Sequence, residues 1–282
     1  MVLGGGGLAG IAWETGVLAT LLDQGIRVDA ADLVVGTSAG SVTGAALRFG
    51  VVDQLLAAQL RGDDPAEKAL EESELASFSP DTFTAMLTAA AAGAGGQQEA
   101  RARLGAEASA AGRELSEDDW VATIRDLLPA RDWPAWPFQV TAVNADDGAF
   151  TVFEESSGVE LARAVAASCS VPGAWPPVTI DGRPYMDGGT RSASNADLAA
   201  GYGKVLVLSC APEDPESPFG PSLPQVLRRL EGSTDTFLIE ADAPSLAAFG
   251  SNVLLGSTRR PAAAAGQRQA ADVLEVVRAF WD

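Results

Sequence analysis

Histidine is absent from this chain of 282 residues, and its absence excludes the commonest form of serine catalysis. In a Ser-His-Asp triad, an imidazole takes the proton from the serine hydroxyl, and imidazole is also the most common catalytic metal ligand. A nucleophilic serine in this chain would need a carboxylate, a lysine, a tyrosine or another unusual base. Lysine occurs only at Lys68 and Lys204, so a carboxylate is the best candidate.

Cysteine, basic residues and long apolar runs are also scarce. Cys169 and Cys210 are too few and too widely spaced for a disulfide framework or a zinc site, which favours a reduced, cytoplasmic setting and predicts no metal. We expect no transmembrane helix and no secretory signal, because neither pattern occurs. The formal net charge of −19 argues against nucleic acid and against electrostatic capture by anionic lipids, but is compatible with transient membrane or micelle contact.

An apolar run that ends in a serine motif organises the first part of the chain. Residues Leu33 to Gly40 have the sequence Leu-Val-Val-Gly-Thr-Ser-Ala-Gly. This order predicts a strand, a sharp turn and a helix, the setting in which Gly-x-Ser-x-Gly forms a nucleophile elbow. Ser38 is therefore the candidate nucleophile. On the motif alone, a glycine-rich turn without chemistry remains an open alternative.

A glycine-rich segment, Gly4 to Gly10, precedes the elbow. Backbone amides of such a loop at a helix N-terminus can hold an oxyanion, so the candidate oxyanion-hole residues are Gly5, Gly6 and Gly7. Two alternatives stay open. The segment contains a Gly-x-Gly-x-x-Gly match typical of nucleotide loops, and glycines can also serve close packing alone. The nucleotide alternative lacks an acidic ribose-binding residue after the second strand, which ends at the Ser38 elbow instead.

The order of predicted elements favours an α/β fold with a mostly parallel sheet. A strand at residues 2–3, a helix over 10–24 and the elbow strand form a β-α-β unit, and a hairpin is predicted over 138–154. Further helices are predicted at 161–168 and 267–280, and further strands at 178–180, 183–186, 205–209 and 236–240. No linker separates two domains, so we expect one α/β hydrolase domain over residues 1–282.

A helical insertion rich in alanine and glycine is predicted at about residues 62–130. Its part at 89–113 is either a loosely packed segment near the site or an ordinary surface helix pair with a linker. The aromatic residues that follow, Trp133, Trp136 and Phe138, either line an acyl-binding surface or seal an edge of the sheet, which is the commoner use.

Asp187, within Met186-Asp187-Gly188-Gly189, is the candidate base. Asp-Gly is first of all a turn signal. The pair of glycines would let the carboxylate approach another loop closely, which is what a serine without histidine requires.

These motifs together resemble those of the patatin-like phospholipase family. Gly4 to Gly10 is similar to its oxyanion loop, Gly36 to Gly40 to its serine elbow, and Asp187 to Gly189 to its catalytic-aspartate motif. The segment from Ala166 to Pro177 is also similar, and the resemblance covers about residues 1–50 and 138–210. It implies a three-layer α/β/α fold, a Ser38-Asp187 dyad that needs no cofactor, and hydrolysis of a lipid or other acyl ester through an acyl-enzyme.

One departure from the family pattern concerns the substrate. Ala9 stands where family members commonly carry Arg or Lys, which makes lysophospholipids, neutral lipids or simple esters at least as good candidates as diacyl phospholipids. An ordinary aspartate, with a pKa of about 3.9, is a weak base at neutral pH and predicts moderate turnover. The alternative is a weak or inactive relative that binds lipid or nucleotide.

Overall fold

The computed structural model describes residues 1–61, 79–110 and 115–281. The strands in this part are β1 (Val2–Leu3), β2 (Val34–Gly36), β3 (Phe138–Asn144), β4 (Phe150–Phe153), β5 (Val178–Ile180), β6 (Arg183–Asp187), β7 (Lys204–Ser209) and β8 (Asp235–Glu240). The α-helices are α1 (Gly7–Asp23), α2 (Ala39–Arg48), α3 (Val52–Leu60), α4 (Pro80–Ala91), α5 (Gln97–Ala110), α6 (Glu117–Leu127), α7 (Leu161–Ser168), α8 (Leu223–Leu230), α9 (Ala243–Phe249) and α10 (Arg259–Trp281).

The strands form one mixed sheet in the order β5-β6-β3-β2-β1-β7-β8, with β4 paired to β3 outside this path. Strands β3, β2, β1, β7 and β8 run parallel, whereas β4, β5 and β6 add antiparallel pairs at one side. Parallel strands need crossover connections, which the helices supply. The carboxyl end of β2, where the serine elbow lies, is therefore in the middle of the sheet.

Alternating side chains of the central strands enter two separate hydrophobic clusters. Val2 and Val35 belong to the smaller cluster, with the helix α8 residues Leu223 and Val226. Their neighbours Leu3 and Val34 belong to the larger one. Because successive strand residues point to opposite faces, both faces of the sheet are covered and the fold has three α/β/α layers.

Most predicted elements are confirmed within two or three residues of their predicted ends, including the helix at 161–168 and the hairpin of β3 and β4. The last helix begins at Arg259, earlier than the predicted start near residue 267. Helices α8 and α9 were not predicted. Both begin with a proline in the first turn, after Ser222 and Asp242 respectively, a helix-start signal that their short length obscured.

The described part of the predicted insertion contains the helices α4, α5 and α6. Helices α4 and α5 pack against each other, with Leu104 fully buried and the Arg101 guanidinium donating to the Gly148 and Phe219 carbonyls. The described part of residues 89–113 lies in these two helices and the turn between them, while residues 62–78 and 111–114 lie outside the described residues. In the described ranges, no helix has the length and apolar character needed to cross a membrane.

Candidate active site

Ser38 lies between β2 and α2 in a strained backbone conformation. Its φ of 51° and ψ of −117° fall in a region that residues with a side chain rarely adopt. Such strain costs about 1–3 kcal/mol and persists only where the surroundings enforce it, most often at functional sites. The conformation is the one expected of a nucleophile elbow, and the sequence places small residues on both sides of it.

Hydrogen bonds on both sides of Ser38 hold the elbow in place. The Ser38 amide donates to Ser168 Oγ at 2.9 Å, and the Ser41 hydroxyl donates to the Ser38 carbonyl at 2.6 Å. A side chain at Gly40 would collide with the Leu3 carbonyl, so only glycine lets α2 approach β1 this closely. The turn is therefore fixed by the strand next to it and by the end of α7.

The glycine-rich loop lies beside the serine, and its amides differ in availability. A Cβ atom added to Gly5 would lie 3.4 Å from Ser38 Cβ. The Gly5 amide donates to the Ala193 carbonyl at 2.8 Å. By contrast, the amides of Gly6 and Gly7 have no acceptor among the residues that the structure describes. They stand at the N-terminus of α1, where free amides and the helix dipole favour an anion.

Gly7 is required by the backbone as well as by the space around it. Its φ is +62°, and an added Cβ would lie 2.7 Å from Leu254 Cδ2 and 2.8 Å from the Val253 carbonyl oxygen. That same carbonyl accepts the Ala9 amide at 3.0 Å. The Ala9 side chain is fully buried, so the position where the family pattern has a cation faces the protein interior here.

Asp187 ends β6 and is 4% exposed. Its amide donates to the Ser170 carbonyl at 3.0 Å, and its Oδ1 accepts the Gly189 amide at 2.7 Å. The other oxygen, Oδ2, is buried and has no hydrogen-bond partner of normal geometry in the described part of the chain. The Ser38 hydroxyl lies close to this carboxyl and acts to favour its ionised form.

Burial raises the pKa of Asp187 from 3.8 to about 7, although the Ser38 hydroxyl and the Gly189 amide both act to lower it. Desolvation disfavours the charged carboxylate, and here it is the largest effect. A base is most effective when its pKa lies near the working pH. The pKa of Asp187 thus differs from that of an ordinary aspartate, because the sequence does not show how deeply Asp187 is buried, while the expected moderate turnover stays a prediction.

Asn195 connects the serine elbow to the aspartate loop. Its Nδ2 is 3.1 Å from Thr37 Oγ1, 3.3 Å from Thr141 Oγ1 and 3.2 Å from the Gly188 carbonyl oxygen. Asn195 stands at the start of a short 3-10 helix, Ala196–Ala199, but its side chain makes no capping bond there. It instead holds the residues next to Ser38 and Asp187 together through contacts that no local pattern reveals.

An apolar cavity of about 370 Å³ opens beside Ser38, and we call it the serine pocket. Its lining includes Trp120 and Trp175, whose rings stack at 4.5 Å between centroids. The Trp120 indole N–H lies 3.1 Å from both the Ala166 carbonyl and Ser170 Oγ, which fixes this wall. Cys169 also lines it, and burial raises the pKa of its thiol to about 12, which favours the protonated thiol over the thiolate.

The predicted aromatic residues lie elsewhere. Trp133 donates to the Val159 carbonyl and packs against Phe138 at the start of β3, while Trp136 is 59% exposed. They border a different cavity, so they do not line the one beside Ser38, and their sealing of a sheet edge stays a prediction. The sequence contains a pattern that indicates the residues lining the serine pocket. Trp120 and Ile124 are four positions apart and so share one face of a helix, and Trp175 lies in the segment before Asp187.

A second buried carboxyl, Glu14, lies behind the glycine-rich loop. Its Oε2 accepts the Thr43 hydroxyl at 2.6 Å, and burial raises its pKa to about 8.

Over the described residues, no group of three or more His, Cys, Asp or Glu side chains is arranged to hold a metal ion.

The mixed sheet, the strained Ser38 after β2 and the buried Asp187 at the end of β6 define an α/β protein with a serine at a strand-to-helix turn. The model of the patatin-like phospholipase family matches residues 1–200. The chain therefore belongs to this family.

Two solved structures are similar to nearly the whole chain. VipD from Legionella pneumophila has 15% sequence identity and a TM-score of 0.43, covering 96% of this chain and 66% of its own. The type III effector protein ExoU has 17% identity and a TM-score of 0.43, covering 98% of this chain and 52% of its own. This chain thus spans less than two thirds of either protein. No curated protein matches.

Proposed function

We propose that this protein is a serine acyl-ester hydrolase of the phospholipase A or lysophospholipase type, with Ser38 as nucleophile and Asp187 as general base. The observation that carries the proposal is the strained Ser38, whose hydroxyl lies close to the buried Asp187 carboxyl, the Oδ2 of which accepts no hydrogen bond in the described chain. Two elements distant in sequence thus present the two groups that such a reaction needs.

In the proposed reaction, the Ser38 hydroxyl oxygen attacks the ester carbonyl carbon while its proton passes to Asp187 Oδ2. The carbonyl oxygen becomes an oxyanion, held by the loop at the start of α1. When the tetrahedral intermediate collapses, the alcohol leaves with the proton from Asp187. Water then attacks the acyl-enzyme and gives its proton to Asp187, which passes it to Ser38 Oγ as the bond to the acyl group breaks and the acid is released.

The oxyanion hole is proposed at the amides of Gly6 and Gly7, within the predicted set Gly5 to Gly7. The Gly5 amide already donates to the Ala193 carbonyl and so holds the loop in shape. This division of roles follows from which amides are still available, since an oxyanion needs donors that are not engaged before the substrate arrives.

The serine pocket supports an apolar acyl group as the part of the substrate that is recognised. Its lining includes Ile11, Val42, Ile124 and Leu254, and pockets of this size and character bind apolar ligands. Lysophospholipids, neutral lipids and simple esters are proposed as substrates at least as good as diacyl phospholipids, since Ala9 offers no cation and the net charge is strongly negative.

A fluorophosphonate probe tests the nucleophile. We expect covalent labelling of wild type and none of Ser38→Ala, whose hydrolysis of p-nitrophenyl esters falls about a thousandfold or more. The matched control is Ser245→Ala, which removes a buried serine hydroxyl bonded to Gln269 rather than one in the elbow. Labelling that persists in Ser38→Ala would reject Ser38, and unlabelled wild type that binds nucleotide or lipid would favour the binding-module alternative.

A further inference from the structure

A second cavity lies directly beside the serine pocket. It has a volume of about 250 Å³ and follows helix α3, so we call it the α3 groove. Its lining is largely apolar and includes Ala46, Val51, Leu55 and Ala58. The serine elbow does not border it, and the proposed reaction makes no use of it.

The two cavities share Val42, Asp126 and Leu127 as a common wall. Val42 is 2% exposed and belongs to the core. Asp126 is exposed, so its carboxylate stays in water at the rim. Leu127 is 39% exposed at the end of α6, so its side chain is the apolar part of the wall that can be removed without opening the core.

Volume arguments relate the cavities to chain length. A methylene group needs about as much space as a water molecule, about 30 Å³ in the liquid. The serine pocket, at about 370 Å³, therefore takes an acyl chain of about 12 carbons. The α3 groove, at about 250 Å³, adds room for about eight more.

We propose that Leu127 determines the acyl-chain preference, by separating the serine pocket from the α3 groove. This inference rests on the proposed ester hydrolysis and adds the substrate class, esters of medium-length acyl chains. Longer tails stop at Leu127 and remain in water. Removing the side chain beyond Cβ joins the cavities into one continuous apolar channel, which accepts the tail of a long-chain ester.

A chain-length series of p-nitrophenyl esters, from butyrate to palmitate at fixed detergent, tests the proposal. For wild type, kcat/KM rises up to about fourfold for each buried methylene and levels off near laurate. For Leu127→Ala, the increase continues to palmitate, and the palmitate-to-decanoate ratio rises about tenfold or more. Leu127→Met, of similar volume, and Leu246→Ala, which truncates an equally exposed leucine on α9, keep the wild-type profile.

A second substitution checks that the gain comes from the α3 groove. In the Leu127→Ala background, Ala58→Trp fills the groove from α3 and restores the wild-type preference. If Leu127→Ala folds with wild-type thermal stability and keeps the wild-type chain-length profile, the proposal is overturned. A shift that Ala58→Trp leaves unchanged also overturns it.

Binding measurements separate this inference from the reaction itself. Calorimetric titration of Ser38→Ala with saturated fatty acids measures chain preference without any chemistry. We expect affinity to stop increasing near laurate, and to increase further with length when Leu127→Ala is added. If wild type hydrolyses no ester, the proposed function fails, whereas unchanged binding profiles reject the role of Leu127 alone.

Discussion

Replacing Asp187 with asparagine removes the ionisable carboxyl but keeps its shape. The difference in free energy of unfolding between this variant and wild type should therefore depend on pH. Burial raises the pKa of Asp187 from 3.8 to about 7. Because the protonated form is favoured in the folded state, its contribution is fully present below the unfolded pKa and is lost as the pH rises to about 7. At about 1.4 kcal/mol per pKa unit, this loss amounts to about 4 kcal/mol by pH 8.

Asparagine has no such pH dependence. The free energy of unfolding of Asp187→Asn, relative to wild type, should therefore increase by about 2–3 kcal/mol between about pH 5 and pH 8. Urea titrations followed by circular dichroism at each pH measure this difference. A constant cost, such as an unpartnered amide N–H, shifts every pH equally and does not affect the comparison. Stability curves that stay parallel over this range would refute the raised pKa.

Although Asp187→Asn should gain stability relative to wild type as the pH rises, its rate of ester hydrolysis should fall. A general base contributes about 10²–10⁴-fold, so kcat of Asp187→Asn with p-nitrophenyl esters should fall by about that factor. In wild type, the rate should rise with pH through about 7, because only the ionised carboxylate of Asp187 accepts a proton. A variant that hydrolyses at the wild-type rate would exclude Asp187 as the base, whatever its effect on stability.

Three further substitutions test the surroundings of the site. Glu14→Gln should also become more stable than wild type as the pH rises to about 8, because burial raises the pKa of Glu14. It should keep its esterase rate, because this carboxyl lies behind the glycine-rich loop, and a loss of activity would contradict a purely structural role for Glu14. Gly7→Ala should lower the melting temperature and the rate, because its φ of +62° costs a residue with Cβ about 1–2 kcal/mol and Leu254 must move; an unchanged rate would argue against this loop as the oxyanion hole. Ser168→Ala should destabilise by about 1–3 kcal/mol in urea titrations, since the Ser38 amide loses its acceptor, and an unaltered midpoint would show that the elbow holds without it.

What the sequence predicted well is encoded locally. The Ser38 elbow needs a short apolar strand, small neighbours and a following helix, all within a few residues of each other. The Asp187 motif likewise combines a strand end with two glycines. Secondary structure in these segments agreed closely because the same residues supply both the turn signals and the chemistry.

What the sequence did not predict depends on contacts between distant segments. Ser168 becomes the acceptor for the Ser38 amide although 130 positions separate them, and the bond between Asn195 and Thr37 spans 158. No periodicity or turn rule carries such information. Helical periodicity places Trp120 and Ile124 on one face of α6, but the stacking of Trp120 on Trp175 forms only when α6 packs beside the loop after α7.

The absence of histidine and the burial of Asp187 are connected through the pKa that the proposed reaction needs. An imidazole has an ordinary pKa of about 6.5, which suits a base at neutral pH. Burial gives the Asp187 carboxyl a pKa of about 7, so the fold supplies what the residue type does not. The ionised carboxylate that accepts the proton is also the form that destabilises the folded state. Substitutions that admit water to Asp187 should therefore raise stability at neutral pH and lower its strength as a base, which couples the two properties through one group.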